Sequence, residues 1–360
     1  MRIETERLVI TDFTPDMAEA VHLNSLDEDN RRFVPDEVFE TVEEARETVE
    51  FLISRYGSED GPFVHPILKK TGENIGYVQL VRIGEGWEIG YHVAKRYTGS
   101  GCASEAVRAF LPHMAAEKRL KERYGLEDVF LVPGPADPSR TNSNIAKAAS
   151  MYINERLKEN SVINIGYGDT PGRVLNNLAT MAESTITCVS LTGGVSYYLP
   201  NTLSNVFNAK LHLIPAPLLA STSEMAEAMR KEESVQEISR MISHAELSVV
   251  GIGSMDMSAT IFHSGILNNN DLLYLSMKGA KGDVLSHFLD SDGNPVSSPI
   301  EDRLIATSLD KLRNLHHVIG VAAGLVKAEA IRSALKGHFL DILITDTDTA
   351  QAIQEMDDAE

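Results

Sequence analysis

From Lys121 onward the chain repeats one pattern that leaves few folds open to it. A short apolar run comes first, then a break rich in Gly, Asp or Thr, then a helix-like stretch. The runs cover 129–132, 162–165, 186–191, 211–214, 247–252, 318–322 and 342–345. A strand with one wet face alternates apolar and polar residues, whereas a strand covered on both faces reads as a continuous apolar run. These runs are of the second kind. Their alternation with helices predicts an α/β fold: a doubly wound, mostly parallel sheet. Residues 290–299, DSDGNPVSSP, read as a turn-rich excursion of hairpin type.

The first 120 residues have another rhythm, so the boundary is set there, with domains at 1–120 and 121–360. Arg7 to Phe13 reads as a strand, followed by a helix with Thr14 as N-cap and Pro15 at its first position. Thr41-Val-Glu-Glu is a capping box for a helix to about Tyr56. Strand-like runs at 63–68, 75–83 and 87–93 are separated by tight turns and form an antiparallel meander. The segment RYTGSGCASEAVRAF is a Gly-rich loop entering a helix that runs to about Leu120. This part reads as α+β.

Composition excludes several classes. A length of 360 residues suits two domains. No stretch is apolar enough to span a bilayer, and the N-terminus is not a signal peptide. Two cysteines, Cys102 and Cys188, give no disulfide framework, so a cytoplasmic protein is expected. Cys188 lies in an apolar run and reads as core. The net charge of −19 repels polyanions. With no helix-turn-helix, zinc-finger spacing or basic arm, direct nucleic-acid binding is not expected. The histidines lack metal-ligand spacing. GYGDTPG lacks the third glycine of a dinucleotide fingerprint.

Five loops of the C-terminal part carry the candidate chemistry. They are Gly166-Tyr-Gly168-Asp169-Thr170-Pro, Thr192-Gly193-Gly194, Gly251-Ile-Gly-Ser, Lys278-Gly-Ala-Lys-Gly-Asp283, and Gly320 to Lys327. In an open parallel sheet, ligands bind beyond the carboxyl ends of the strands. Thr170, read as a helix N-cap, and Lys327 supply donors for a phosphate. Asp283 is an acceptor for sugar hydroxyls. Taken singly, each feature has a plainer reading. Glycine after a strand is usually a turn, and Lys327 in a first helical turn is usually solvated and opposed by the dipole. Asp283 could cap a helix over 284–288, and Asp346 and Asp348 read as helix caps. Convergence on one sheet edge favours a small, polar, anionic ligand.

Two resemblances go further. ETERLVITDFTPDMAEAV, GYVQL, GWEIGYHV and RYTGSGCASEAV, in this order, resemble the GNAT acyltransferases of the ribosomal-protein N-acetyltransferase type, over residues 1 to about 120. The resemblance implies that Arg96, Gly99, Ser100, Gly101 and Ala103 cradle the pyrophosphate of acetyl-CoA. Family members continue with further strands that form the second wall of the cleft. Here the chain passes instead into Lys121-Glu-Arg-Tyr, so the acyltransferase part is expected to be truncated and not to act as an enzyme.

The series YGLEDVFLVPG, NIGYGDTP, SLTGGV, LIPAPLLASTSE, VVGIGSM, KGAKGDVLSHFLDSDG, GVAAGLVKAEAIRSALKG and DILITDTDTAQAI resembles the effector-binding domain of the SorC/DeoR-type sugar-responsive regulators. It is most similar to members that sense phosphorylated autoinducer-2, and it covers 121 to about 355. It implies a NagB/ribose-5-phosphate-isomerase-like sheet and a homo-oligomer. It also implies a phosphosugar or phosphorylated autoinducer-2 held by Gly166, Gly168, Asp169, Thr170, Thr192, Gly193, Gly194, Asp283 and Lys327, with no cofactor required. Tyr167 stands where relatives often carry Trp or Phe, and Lys281 where they are more often apolar. Two rivals remain: an active acyltransferase with a fused regulatory domain, and an aldose–ketose isomerase using Asp169 and Asp283, around which no isomerase motif lies.

Overall fold

The computed structural model describes residues 1–33, 37–56, 58, 61–84, 86–134, 137–181, 185–194 and 208–360. These form two compact units, Met1–Ala115 and Ala116–Glu360.

The first unit is a five-stranded antiparallel sheet in the order β1 (Arg2–Glu4), β2 (Leu8–Thr11), β3 (Phe63–Lys69), β4 (Asn74–Ile83), β5 (Gly86–Val93). Between β2 and β3 lie helices α1 (Ala18–Ser25), α2 (Glu28–Phe33) and α3 (Val42–Arg55). Thr14 does not cap an α-helix as the sequence suggested. It precedes a single 3-10 turn, Pro15–Met17, and its hydroxyl makes no capping bond. Thr41 does cap α3, its hydroxyl accepting the Glu44 N–H at 3.2 Å. Glu44 reaches back to the N–H of Glu40 rather than of Thr41, so the box closes one residue early. Helix α4 (Cys102–Tyr124) follows β5. Its Cys102, Ala106 and Phe110 bury against Ile10, Ile67, Ile75 and Val78 of the sheet. Among the described residues β5 pairs with β4 alone, so it is a sheet edge.

In the second unit all seven apolar runs are strands of one parallel sheet. They are β6 (Asp128–Val132), β7 (Val162–Ile165), β8 (Ile186–Ser190), β9 (Ala209–His212), β10 (Leu247–Ser254), β13 (Val318–Val321) and β14 (Ile342–Asp346), in the order β6-β14-β13-β10-β7-β8-β9. The continuous apolar runs have the expected cause. Val250 and Ile252 of β10 face one core layer, with α13 (Ala328–Lys336) and α8 (Glu233–Ile242). Leu247 and Val249 face the other, with α5 (Thr141–Asn154) and α6 (Asp169–Met181). Helices α7 (Ser223–Lys231), α9 (Thr260–His263), α10 (Asn269–Met277), α11 (Pro299–Arg303), α12 (Leu309–Arg313) and α14 (Thr347–Asp358) complete the unit.

One element was not expected. β11 (Gly282–Val284) and β12 (His287–Leu289) form a hairpin that extends β10 antiparallel, with Gly253 opposite Asp283. Asp283 is therefore a strand residue and does not cap a helix. The 290–299 excursion turns back on β12 as expected of a hairpin, with Leu289 bridging Pro295 antiparallel and the Val296 N–H donating to the Phe288 carbonyl at 2.8 Å, though the returning segment is a single bridge and not a strand. The Asp290 carboxylate holds it by accepting the N–H groups of Asp292 and Asn294, both at 2.9 Å. Cys188 is core as expected, and burial pushes its thiol up to about 12.

Candidate functional site

Parallel strands place their carboxyl ends together, and four of the five loops meet there. Gly166 follows β7 so closely that a Cβ on it would lie 2.9 Å from Leu285 in the hairpin and 3.2 Å from the Val249 carbonyl of β10. A Cβ on Gly251 would lie 3.0 Å from Pro171. A Cβ on Gly253 would lie 2.0 Å from Asp283 Oδ1, and one on Gly282 would lie 2.3 Å from Ala330 at the start of α13. The glycines thus serve close packing of one loop on the next.

Asp169 itself opens α6, so Thr170 lies inside the first turn and is not the cap. Thr170 is buried, and Gly168 takes a left-handed φ of 139° before it. The Asp169 carboxylate accepts Asn142 Nδ2 at 2.9 Å and Arg173 Nε at 3.0 Å. Asp283 is buried, and its Oδ2 accepts the Ser286 N–H at 2.9 Å. Burial pushes its carboxyl up to about 6, against the opposing pull of that N–H and of Lys327.

Lys327 ends a 3-10 turn, Leu325–Lys327, and stands at the N-cap of α13. Burial lowers its pKa, while Asp283, Asp169 and Asp256 pull it back up. The side chain is half-buried, and no ion pair or hydrogen bond within the described residues reaches its ammonium. Gly324, with φ 103°, fixes the loop by donating its N–H to Asp346 Oδ2 at 2.9 Å and Thr349 Oγ1 at 2.8 Å. Asp346 also caps α14, accepting the Thr349 N–H at 2.7 Å.

Asp256 was not singled out in the sequence. Burial raises its pKa, but hydrogen bonds from Ser254 and Ser258 more than offset this and hold it below the usual range. An acid flanked by serines two residues away on each side was the available signal. Lys281 pairs with Glu329 at 2.7 Å.

The second loop plays a different part. Thr192 is fully buried and its hydroxyl donates to the Gly193 carbonyl at 3.0 Å. The N–H groups of Gly193 and Gly194 donate to the carbonyls of Ile305 and Ala216, both at 2.8 Å. Those amides are committed to the scaffold. A Cβ on Gly193 would lie 2.3 Å from the Pro217 carbonyl, which explains the glycine.

In the N-terminal unit Gly99 and Gly101 both have left-handed backbone, with φ of 70° and 80°. The Ser100 carbonyl accepts Arg7 Nη1 at 2.8 Å, and Ala103 lies in the first turn of α4. Arg96 is turned elsewhere. Its guanidinium is 3.4 Å from Asn24 Oδ1 and 3.6 Å from Glu73.

The Sugar-bind family model, a sugar-binding domain, matches residues 109–355. The transcriptional regulator LsrR of Klebsiella pneumoniae subsp. pneumoniae is 34% identical over 244 residues, 67% of this chain and 75% of the regulator. The chain belongs to the sugar-binding-domain family of transcriptional regulators. The LsrR of Escherichia coli K12 is 33% identical over 241 residues, 66% of this chain and 76% of its own. A solved DeoR-family regulator from Listeria monocytogenes shares the fold of this sugar-binding domain. Its TM-score is 0.60 at 24% identity, covering 67% of this chain and 98% of that one. The full-length sorbitol operon regulator SorC of Klebsiella pneumoniae does so too, with a TM-score of 0.59 at 23% identity, covering 72% and 88%.

An acetyltransferase (GNAT) family model matches residues 7–150. The likeness therefore runs past the expected end near 120 and overlaps the sugar-binding domain over 109–150. The structure gives 116–150 of the overlap to the latter: β6 pairs with β14 in the nine-stranded sheet, from Asp128 opposite Ile342 to Val132 opposite Asp346, while 109–115 stay with the first unit. No helix among the described residues is long and apolar enough to cross a membrane.

Proposed function

We propose that residues 116–360 are an effector sensor for a phosphorylated sugar, with phosphorylated autoinducer-2 as the first candidate. The observation that carries this is Lys327: a half-buried ammonium at the N-cap of α13, on the loop after β13, with no ion pair or hydrogen bond among the described residues. A phosphate supplies that acceptor through charge-assisted hydrogen bonds. Sugar hydroxyls donate to the carboxylates of Asp169, Asp256 and Asp283. Gly166, Gly168 and Thr170 shape the wall beside them, while Thr192, Gly193 and Gly194 hold the neighbouring backbone. The sensor acts as a homo-oligomer, and no residue of this unit is assigned to DNA. A titration-calorimetry panel of phosphorylated sugars, phosphorylated autoinducer-2 and their dephosphorylated forms tests the reading. Binding that ignores the phosphate would overturn it.

A second reading, acetyl transfer by the N-terminal unit, draws on the acetyltransferase match and on the left-handed glycines at 99 and 101. Against efficient transfer stands the sheet, which ends at β5 without a second wall for acetyl-CoA among the described residues. Thiol release from acetyl-CoA in the presence of amine substrates decides it. We expect none above the rate without protein.

A further inference from the structure

The N-terminal unit contains a cleft of about 330 Å³ between α1 and the turn joining β3 to β4, with Arg96 on its wall. This is within the range of small-molecule sites, about 300–1,000 Å³. Asn74 lines it and is buried, with an exposure of 7%. Its side-chain orientation is determined. The Gly76 N–H donates to Asn74 Oδ1 at 3.0 Å, and Asn24 Nδ2 donates to the same oxygen at 3.4 Å. The amide nitrogen is thereby directed elsewhere, and it is buried with no partner among the described residues. A buried donor without an acceptor is a cost that native structures normally avoid, so it asks for an explanation.

We propose that this cleft binds a small apolar α-amino acid. The Arg96 guanidinium stands on the cleft wall and suits a carboxylate; Asn74 Nδ2, enclosed and unpartnered in the same wall among the described residues, adds a second donor only once its side chain shifts. Arg96 makes long contacts, 3.4 Å to Asn24 and 3.6 Å to Glu73, and lies over the Tyr97 ring at 5.0 Å, so a bidentate carboxylate would replace weak polar interactions with strong ones. Asp16, in the 3-10 turn before α1, also lines the cleft, and no ion pair or hydrogen bond of the described residues engages its carboxylate. It suits an ammonium. Leu23, more than half exposed, and Leu68 offer the apolar surface for a side chain. The wall carries one cation, Arg96, and two carboxylates; Glu73 is already engaged by Arg96, Lys69 and the Tyr97 hydroxyl, which leaves Asp16 for an ammonium, and with the leucines this matches a zwitterion with an aliphatic side chain. A phosphosugar would leave Asp16 opposing it and the leucines unused. The site draws on none of the sugar-phosphate loops, and its ligand is of a different class.

The test is saturation-transfer NMR on the full chain with leucine as probe, and with leucinamide and 4-methylpentanoate as partial probes. Equilibrium dialysis with labelled leucine gives the affinity. Leucine should bind, and each partial probe should bind at least about tenfold more weakly. Arg96→Met and Asp16→Asn should each weaken leucine by a similar factor while leaving the circular dichroism spectrum and sugar-phosphate binding unchanged. Asn74→Ala risks the fold because Oδ1 holds the Gly76 amide, so the two surface variants decide the question. No saturation transfer from leucine at millimolar concentration would overturn the proposal. So would leucine affinity unchanged in Arg96→Met, or leucinamide binding as well as leucine.

Discussion

The carboxylate of Asp283 accepts the N–H of Ser286 at 2.9 Å, across the tip of a hairpin whose two turn residues are both left-handed. Leu285 and Ser286 have φ of 53° and 69° and neither is glycine, so the backbone there is strained. Leu285 in turn packs on Gly166. The residue proposed to receive sugar hydroxyls therefore also holds the turn that covers the first loop.

Asp283 should make stability depend on pH. Its carboxyl is raised from 3.8 to about 6 in the folded protein. The folded state then binds the proton more tightly than the unfolded chain, so stability is full below about pH 4 and is lost as pH rises through about 6. The loss is on the order of 2–3 kcal/mol. Asp283→Asn keeps an acceptor for Ser286 and should flatten this decline. Urea midpoints of both proteins at several pH values in that window would show it.

Lys327→Met should separate binding from folding. Without ligand the ammonium is half-buried and unpaired among the described residues, so its removal leaves the urea midpoint unchanged or higher. With a sugar phosphate the loss of a charge-assisted contact costs roughly 1.5–3 kcal/mol, or about 10- to 150-fold in affinity. Calorimetric titration reads the second effect and denaturation the first.

Gly253→Ala should displace Asp283, because the new Cβ would lie 2.0 Å from its Oδ1. We expect ligand affinity to fall about tenfold or more, with a stability loss of roughly 1–3 kcal/mol. A wild-type affinity in this variant would place Asp283 outside the ligand site.

Asp357→Ala should unfold the C-terminal unit more readily. Asp357 is buried and receives Arg332 Nε at 2.6 Å and the Tyr124 hydroxyl at 2.8 Å. Removing it leaves the buried Arg332 with Glu360 alone, and breaking a buried pair typically costs about 3–5 kcal/mol. The exposed Arg31–Glu40 pair at 2.5 Å is the control, since water and salt screen such a pair and its removal should leave stability nearly unchanged. Denaturant titration of Asp357→Ala and Glu40→Ala should separate the two.

The parallel sheet was legible because burial on both faces writes an unbroken apolar run, as in Val318–Val321 and Ile342–Asp346. The β11–β12 hairpin was not, because each strand has three residues and the tip carries Leu-Ser where such turns usually announce themselves with Asn or Gly. At the candidate site, Lys327 and Asp283 stood out beside glycines. Asp256 did not, since an acid between serines looks like any turn. The Gly193 and Gly194 amides could not be assigned from sequence, because their partners, Ile305 and Ala216, lie far along the chain or in a separate segment.

The pairing of β6 with β14 decides how the chain can be dissected. A fragment ending at 150, where the acetyltransferase match stops, would carry off β6 and most of α5. The remaining sheet would start at β14, with a raw edge of unpaired N–H and C=O groups and with Ile145, Ala146 and Ala149 stripped from its core layer. Such a remainder should collect in inclusion bodies even though every proposed ligand contact beyond residue 150 is still encoded in it.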